Sequence, residues 1–142
     1  MTGGESIIEP KYSKTKATGM LPLALAFVGD AVYELYVRGH ILSDGNMTAG
    51  ALHKTAVKYV CAQGQAYAAE MLKDKLSEEE TYIFKRGRNA WSPSVPKNCN
   101  VTEYRQATGL EALIGYLHLI GEKDRTDQIL SFCVSQIDQK EE

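Results

Sequence analysis

Residues 23–38 read LALAFVGDAVYELYVR, an apolar run that is interrupted by Gly29-Asp30 and then by Glu34. At 3.6 residues per turn, Asp30 and Glu34 lie one turn apart on one face of a helix. Burying an ionised carboxylate costs roughly several kcal/mol unless a cation, a hydrogen-bond network or a metal compensates for it. The stretch therefore predicts a central helix that carries two acids into apolar surroundings, where they need a partner.

The composition limits the class of protein. A chain of 142 residues, 44% hydrophobic and 24% charged, is typical of one globular domain with a core of its own. No apolar run approaches the roughly 20 residues that cross a bilayer, and the start lacks the apolar core of a secretory signal, so we expect a cytoplasmic protein and no membrane partner. Cys61, Cys99 and Cys133 form no C-x-x-C pair, which argues against a disulfide framework or a zinc site.

Charge is distributed unevenly along the chain. The net charge is −2, but the segment Lys85–Arg105 holds five basic residues and one acid, giving +4, while the remaining 11 basic and 17 acidic residues give −6. A basic segment on an acidic body indicates that an anionic partner is bound at one place.

The pattern of apolar residues and caps predicts an all-α fold. We expect residues 1–20 to form a flexible N-terminal arm and residues 21–142 to form one helical domain. The first helix is apolar nearly all round, which is typical of a central helix wrapped by others. The helices are predicted at Pro22 to about Leu42, at Thr48 (a cap) to about Leu72, after a capping box at Ser77–Glu80, at Thr102 (a cap) to Gly121, and through Ile129–Ile137. Breakers are predicted at Ser43–Asn46, and a long loop at Trp91–Asn100.

A further acid, Glu111, lies on the otherwise apolar fourth helix. Each of the two apolar helices has a glycine beside its acid, Gly29 before Asp30 and Gly115 one turn after Glu111. Such glycines allow close packing that would bring the carboxylates together. Paired carboxylate ligands suit Mg²⁺ or Mn²⁺, which keep water or phosphate oxygens at their other positions.

The alternative interpretation gives these acids only structural partners. An acid on a helix is more often ion-paired than a metal ligand, and Glu34 is placed to pair with Arg38 four residues on. For His53 and His118, hydrogen bonding is favoured over metal ligation, because neither fits a recognisable ligand spacing. The available counter-charges are Arg38, Lys54 and Arg105.

The segment KRGRNA, Lys85–Ala90, is the strongest candidate for contact with nucleic acid. Arginine binds phosphate oxygens in pairs, glycine permits close backbone approach, and asparagine can bond to sugar or base edges. Few aromatic residues interleave with the charges, so a duplex bound by its backbone is favoured over a stacked single strand, and a merely solvated loop is the alternative. The candidate nucleic-acid-binding residues are Lys54, Lys85, Arg86, Arg88, Asn89, Lys97, Asn98 and Arg105.

Two motifs resemble those of the ribonuclease III family. The segment FVGDAVYEL, Phe27–Leu35, is similar to the family signature with its catalytic Asp, and LEALIGYL, Leu110–Leu117, resembles the second motif with its metal-binding Glu. The resemblance covers the chain from about Leu21 to the final helix. ALHK at Ala51–Lys54, KRGRNA, PKN at Pro96–Asn98 and the short length are similar to the Mini-ribonuclease III branch, which lacks the double-stranded-RNA-binding domain.

The resemblance implies a homodimeric, helical endoribonuclease in which Asp30 and Glu111 are the catalytic, metal-binding residues for Mg²⁺, with Mn²⁺ as a substitute. It also implies double-stranded RNA as substrate, 5′-phosphate and 3′-hydroxyl products, and maturation of the 23S ribosomal RNA precursor, in the context of a ribosomal protein.

The chain departs from the wider family at three positions that are acidic there and are Leu23, Ala26 and Thr108 here. Two acids per subunit are therefore expected, with Thr108 and Glu34 in supporting roles. The lost acids favour a first rival, a non-catalytic RNA-binding or ribosome-assembly factor with the same fold. A second rival is a helical scaffold whose Asp30 and Glu111 are only ion-paired.

Overall fold

The computed structural model describes residues 11–42, 45, 47–92 and 95–140. Helices account for most of these residues, and the described residues contain no strand, so the all-α prediction is confirmed. The helices are α1 (Lys14–Thr18), α2 (Pro22–Leu42), α3 (Ala49–Val60), α4 (Ala62–Leu72), α5 (Glu78–Asn89), α6 (Val101–Leu119) and α7 (Lys123–Lys140), with a 3₁₀ turn at Lys73–Lys75. Among the described residues, none of these helices is both long and apolar enough to cross a membrane.

Helices α2 and α6 form the centre of the fold, and glycines set their spacing. A Cβ atom added to Gly29 would lie 1.7 Å from the carbonyl oxygen of Glu111, and one added to Gly115 would lie 2.0 Å from that of Leu25. The two backbones therefore touch without side chains between them. The close packing predicted from these glycines is observed.

Helix α2 is buried on one face only, which corrects the expectation of a helix wrapped on all sides. Every fourth residue from Leu25 to Ile41 is buried against the rest of the chain. The opposite face is open to solvent, with Phe27 80% and Leu35 75% exposed. Because an apolar face of this length is seldom left exposed to solvent, this surface is a candidate for contact with another chain.

The start and stop signals in the sequence place most helices correctly. Pro22 begins α2, and Ser77 and Glu80 form the reciprocal capping box of α5. Gly121, with a φ of +79°, follows the end of α6, where a left-handed residue is favoured. The predicted cap at Thr102 is wrong by two residues, because the side chain of Asn100 accepts the hydrogen bond from the Glu103 amide.

The helix predicted to continue from Thr48 to Leu72 is instead two helices that meet at Cys61. That residue has an extended backbone, with φ −69° and ψ 156°, and its Sγ accepts a hydrogen bond from the Gly64 amide at 3.4 Å. A Cβ atom on Gly64 would lie 2.2 Å from the Lys58 carbonyl oxygen. Glycine therefore permits the sharp junction that a helical pattern of apolar residues did not reveal.

The N-terminal segment also differs from the predicted arm where it is described. Residues 1–10 lie outside the described residues, but Ala17 of α1 is fully buried. The amide of Tyr12 donates to the Leu119 carbonyl at 2.7 Å. Residues 11–20 are thus docked on α6. Of the predicted breakers, Ser43, Asp44 and Asn46 lie outside the described part of the chain.

Candidate active site

The contact between α2 and α6 brings Asp30 and Glu111 together. The two carboxyl groups lie close enough for the charge of Asp30 to act directly on Glu111. Asp30 lies at the exposed mouth of this contact, whereas Glu111 is half-buried behind it. The pair is therefore open to solvent on one side and enclosed on the other.

The pKa of Glu111 reflects this position. Burial, followed by the negative charge of Asp30 and its interaction with the Glu111 side chain, raises the pKa of Glu111 to about 8, while a hydrogen bond from Gln65 opposes the shift. Glu34 contributes a smaller repulsion. The surroundings of Glu111 therefore disfavour its ionised form in the free protein, so a cation bound beside it would be strongly favoured.

Among the described residues, neither acid has the structural counter-charge that the alternative interpretation requires. Within the described ranges, the ion pairs do not include Asp30 or Glu111. Arg38 instead lies 4.0 Å from Glu34, the i, i+4 pair expected from the sequence. The carboxylate pair is thus left without a basic partner from these residues.

The carboxylates of Asp30 and Glu111 are the oxygen ligands that this site offers to a divalent cation. In the part of the chain that the structure describes, no group of three or more His, Cys, Asp or Glu side chains could hold a metal. Two adjacent carboxylates nevertheless fit Mg²⁺, which is commonly bound by one or two protein carboxylates and fills its other positions with water and substrate phosphate. Asp30 and Glu111 could hold such an ion.

The three positions that are acidic in the wider family hold no carboxylate here. Leu23 is 37% exposed, and Ala26 is buried. The Thr108 hydroxyl donates to the Tyr104 carbonyl at 2.9 Å within α6, so its proton is used by the helix itself. Thr108 also lines a small cavity of about 20 Å³ with Arg105 and Val95.

Gln65 was missed by sequence reasoning. It is 2% exposed on α4, and its Nε2 donates to Oε2 of Glu111 at 3.5 Å. The available signal was an amide on the same face as Ala68, Ala69 and Leu72, which are apolar and buried. A buried amide on an apolar face indicates a polar partner on the neighbouring helix.

Helix α5 carries the basic segment to the turn that holds Glu111. A Cβ atom on Gly87 would lie 2.7 Å from the Ala112 Cβ and 3.0 Å from the Gly109 Cα. This glycine therefore serves helix packing, which corrects the expectation that it admits a phosphate. Its packing places the end of α5 beside the start of the catalytic motif on α6.

The predicted RNA-binding residues divide into two groups. Arg86 donates to the Thr18 carbonyl at 2.6 Å and the Met20 carbonyl at 3.2 Å, so its guanidinium holds the N-terminal segment and is assigned to the fold. Arg88 is half-buried and donates to the Asn89 side chain at 3.1 Å. The exposed candidates are Lys54, Lys85, Asn89, Lys97, Asn98 and Arg105.

Comparison with known proteins agrees with this geometry. The sequence model described as "Ribonuclease III domain" matches residues 23–122, which include both carboxylates and Gln65. A Mini-ribonuclease 3 of Thermoanaerobacter sp. is 47% identical over 127 residues, 89% of each chain. A Mini-ribonuclease 3 of Enterococcus faecalis is 44% identical over 84% of this chain and 92% of its own. A crystal structure from Fusobacterium nucleatum has a TM-score of 0.75 and 32% identity, covering 82% of this chain and 93% of that one.

Proposed function

The chain belongs to the ribonuclease III family, in its Mini-ribonuclease 3 group, and is an endoribonuclease; from this premise we propose that it cleaves double-stranded RNA with the help of Mg²⁺ bound by Asp30 and Glu111. The observation that carries the proposal is the contact between these two carboxyl groups, which have no basic partner among the described residues. Mn²⁺, with the same preference for oxygen ligands, is expected to substitute.

Asp30 and Glu111 occupy different positions at this site. Asp30 is exposed and would be the carboxylate nearer to a bound RNA, whereas Glu111 is half-buried behind it. When bound, a divalent cation supplies an activated water and stabilises the departing 3′ oxygen, which gives 5′-phosphate products. The enclosed face around Glu111 keeps its carboxylate in one orientation and excludes bulk water from that side.

The remaining basic and amide candidates are proposed to bind the RNA backbone. These are Lys54, Lys85, Arg88, Asn89, Lys97, Asn98 and Arg105; Arg86 is left out because its donors are used within the chain. Contacts of this type position a duplex largely without reading its sequence. The proposed substrate is the 23S ribosomal RNA precursor, cut at its 5′ and 3′ ends in the cytoplasm in the context of a ribosomal protein.

The open face of α2 supports a homodimer. Leu23, Phe27, Ala31 and Leu35 follow one another at four-residue spacing and are all exposed. An apolar stripe three turns long on a helix is expected to be covered, and a second copy of the same helix is a self-complementary cover. A dimer formed there would carry two carboxylate pairs, one for each strand of a duplex.

The proposal is tested by incubating a structured precursor RNA with the protein and Mg²⁺, alongside the variants Asp30→Asn and Glu111→Gln. Wild type should cleave, both variants should lose at least about a thousandfold in rate, and all three should bind the RNA. Among the described residues, no group of three or more possible metal ligands is formed, which favours one second candidate, a non-catalytic RNA-binding factor. Uncleaved RNA with intact wild-type binding would establish that candidate and reject the nuclease.

A further inference from the structure

Gln65 is a buried polar residue that has no assigned role in the proposed cleavage of RNA. Its side chain is 2% exposed, and the other buried residues of α4 are Ala68, Ala69 and Leu72. Its amide nitrogen is directed at Oε2 of Glu111, at 3.5 Å. The one polar group on the buried face of α4 thus faces the inner carboxylate of the site.

The junction between α3 and α4 fixes the position of this amide. The Gln65 backbone N–H donates to the Cys61 carbonyl at 3.1 Å, and the Gly64 N–H is capped by the Cys61 thiol. Gly64 also lies directly against the Lys58 carbonyl, with no space for a side chain. Hydrogen bonds to the backbone and to the side chain of Cys61 therefore fix the start of α4. They also fix the position from which the Gln65 side chain reaches α6.

We propose that Gln65 is a positioning residue that holds the Glu111 carboxylate in the orientation in which it binds a divalent cation together with Asp30. This inference rests on the proposed function above. Ligating carboxylates are generally oriented by hydrogen bonds from an outer layer of residues, and loss of such a partner commonly costs about 10–100-fold in metal affinity.

The chemistry of an amide suits this task better than a charged group. A lysine or arginine at this position would neutralise the carboxylate pair and compete with the cation for it. A third carboxylate would accept hydrogen bonds but could not donate one to ionised Glu111. The amide of Gln65 donates a hydrogen bond while leaving the negative charge of the pair available to a metal.

The test compares Gln65→Met, which keeps the length of the side chain but removes the amide, with the control Gln63→Met on the exposed face of the same helix. Two quantities are measured for each protein: the rise in Tm that Mg²⁺ or Mn²⁺ causes without RNA, and kcat and KM over a range of metal concentrations. For Gln65→Met we expect about 10–100-fold more metal at the midpoint of both curves, an unchanged KM for RNA, and recovery of kcat at saturating Mn²⁺. The control should match wild type.

The outcomes separate this inference from the proposed function. A metal-dependent rise in Tm that is the same in wild type and Gln65→Met would overturn the positioning role and leave the nuclease proposal intact. A wild-type protein that neither cleaves RNA nor responds to metal would overturn both. If Gln65→Met does not fold, Gln65→Asn retains a polar amide that is one methylene too short to reach Glu111, and wild-type metal affinity in that variant would equally reject the role.

Discussion

Gly29 of α2 lies directly against the carbonyl oxygen of Glu111 on α6, so close that a Cβ atom would be 1.7 Å from it. This contact sets the distance between the helices that carry the two carboxylates. The packing of Gly29 therefore also determines how close Asp30 and Glu111 lie to each other.

Gly29→Ala should destabilise the protein by at least about 3 kcal/mol, because the added methyl group meets backbone that cannot rotate away. The matched control is Gly50→Ala on α3, where an added Cβ meets no atom within 4 Å outside its own helix turn. That substitution should instead stabilise by about 0.5–1 kcal/mol through helix propensity. Urea denaturation of both variants measures the difference, and similar midpoints for the two would contradict the close packing.

Several features of the fold could be predicted because their causes are local. Pro22 marks the start of α2, and the Ser77–Glu80 capping box marks the start of α5. The glycine beside each acid was enough to predict that α2 and α6 pack closely. In each case the signal and the structure it determines lie within a few residues of one another.

The features that were missed depend on contacts between distant segments. The break at Cys61 requires Gly64 to lie against Lys58, and within a helical pattern one glycine does not indicate a junction. The role of Gln65 depends on Glu111, which is 46 residues away. Arg86 resembled a phosphate ligand because its carbonyl partners belong to a segment that had been predicted to be flexible.

Asp30→Asn should stabilise the metal-free protein while abolishing cleavage. Removing the charge beside Glu111 relieves the repulsion that raises its pKa, and we expect a gain of about 1 kcal/mol, or about 3–5 °C in Tm. Mg²⁺ should raise the Tm of wild type but not that of the variant.

The control for this experiment is Asp127→Asn, which neutralises an exposed acid on α7. It should leave both cleavage and the Mg²⁺ response unchanged. A lower Tm for Asp30→Asn than for wild type in EDTA would show that the carboxylate pair is not a source of repulsion in the free protein.

The Glu80–Arg125 ion pair should make stability depend on acid. Arg125 Nε lies 2.8 Å from Glu80 Oε2, and hydrogen bonds from Arg125, and then from Ser77, hold the pKa of Glu80 below its ordinary value against the effect of burial. Because the folded-state pKa is lowered, this stabilisation is complete above the unfolded-state value and is lost as the pH falls through the folded-state value.

Glu80→Gln should therefore cost roughly 2–3 kcal/mol at pH 7, and the difference from wild type should shrink as the pH is lowered below about 4. Glu70→Gln is the control, since the Glu70–Lys73 pair is exposed and should contribute less than about 1 kcal/mol. Thermal melts between pH 3 and pH 7 measure both. A constant difference across that range would exclude the ion pair as its cause.

Phe27→Ser should convert the proposed dimer to a monomer without destabilising the single chain, because this side chain is 80% exposed and packs against none of the core. Tyr82→Ser, at a 55% exposed position on α5, is the control for a change in surface hydrophobicity. Sedimentation velocity gives the masses directly. A monomeric wild type, or a Phe27→Ser protein that remains dimeric, would place any assembly surface elsewhere.

Neighbouring basic residues on α5 should behave in opposite ways, because only one of them is used by the fold. Arg86→Ala removes two hydrogen bonds to backbone carbonyls of the N-terminal segment and should cost roughly 2–3 kcal/mol of stability. Lys85→Ala changes an exposed side chain, so its free energy of unfolding should stay within about 0.5 kcal/mol of that of wild type. It should nevertheless lower the slope of log affinity for duplex RNA against log salt concentration by about 1. RNA-binding titrations between low and moderate salt, made with catalytically inactive Asp30→Asn as the background, measure that slope. If Arg86→Ala reduced the slope while retaining full stability, the guanidinium would be contacting phosphate, and the assignment of Arg86 to the fold would be wrong.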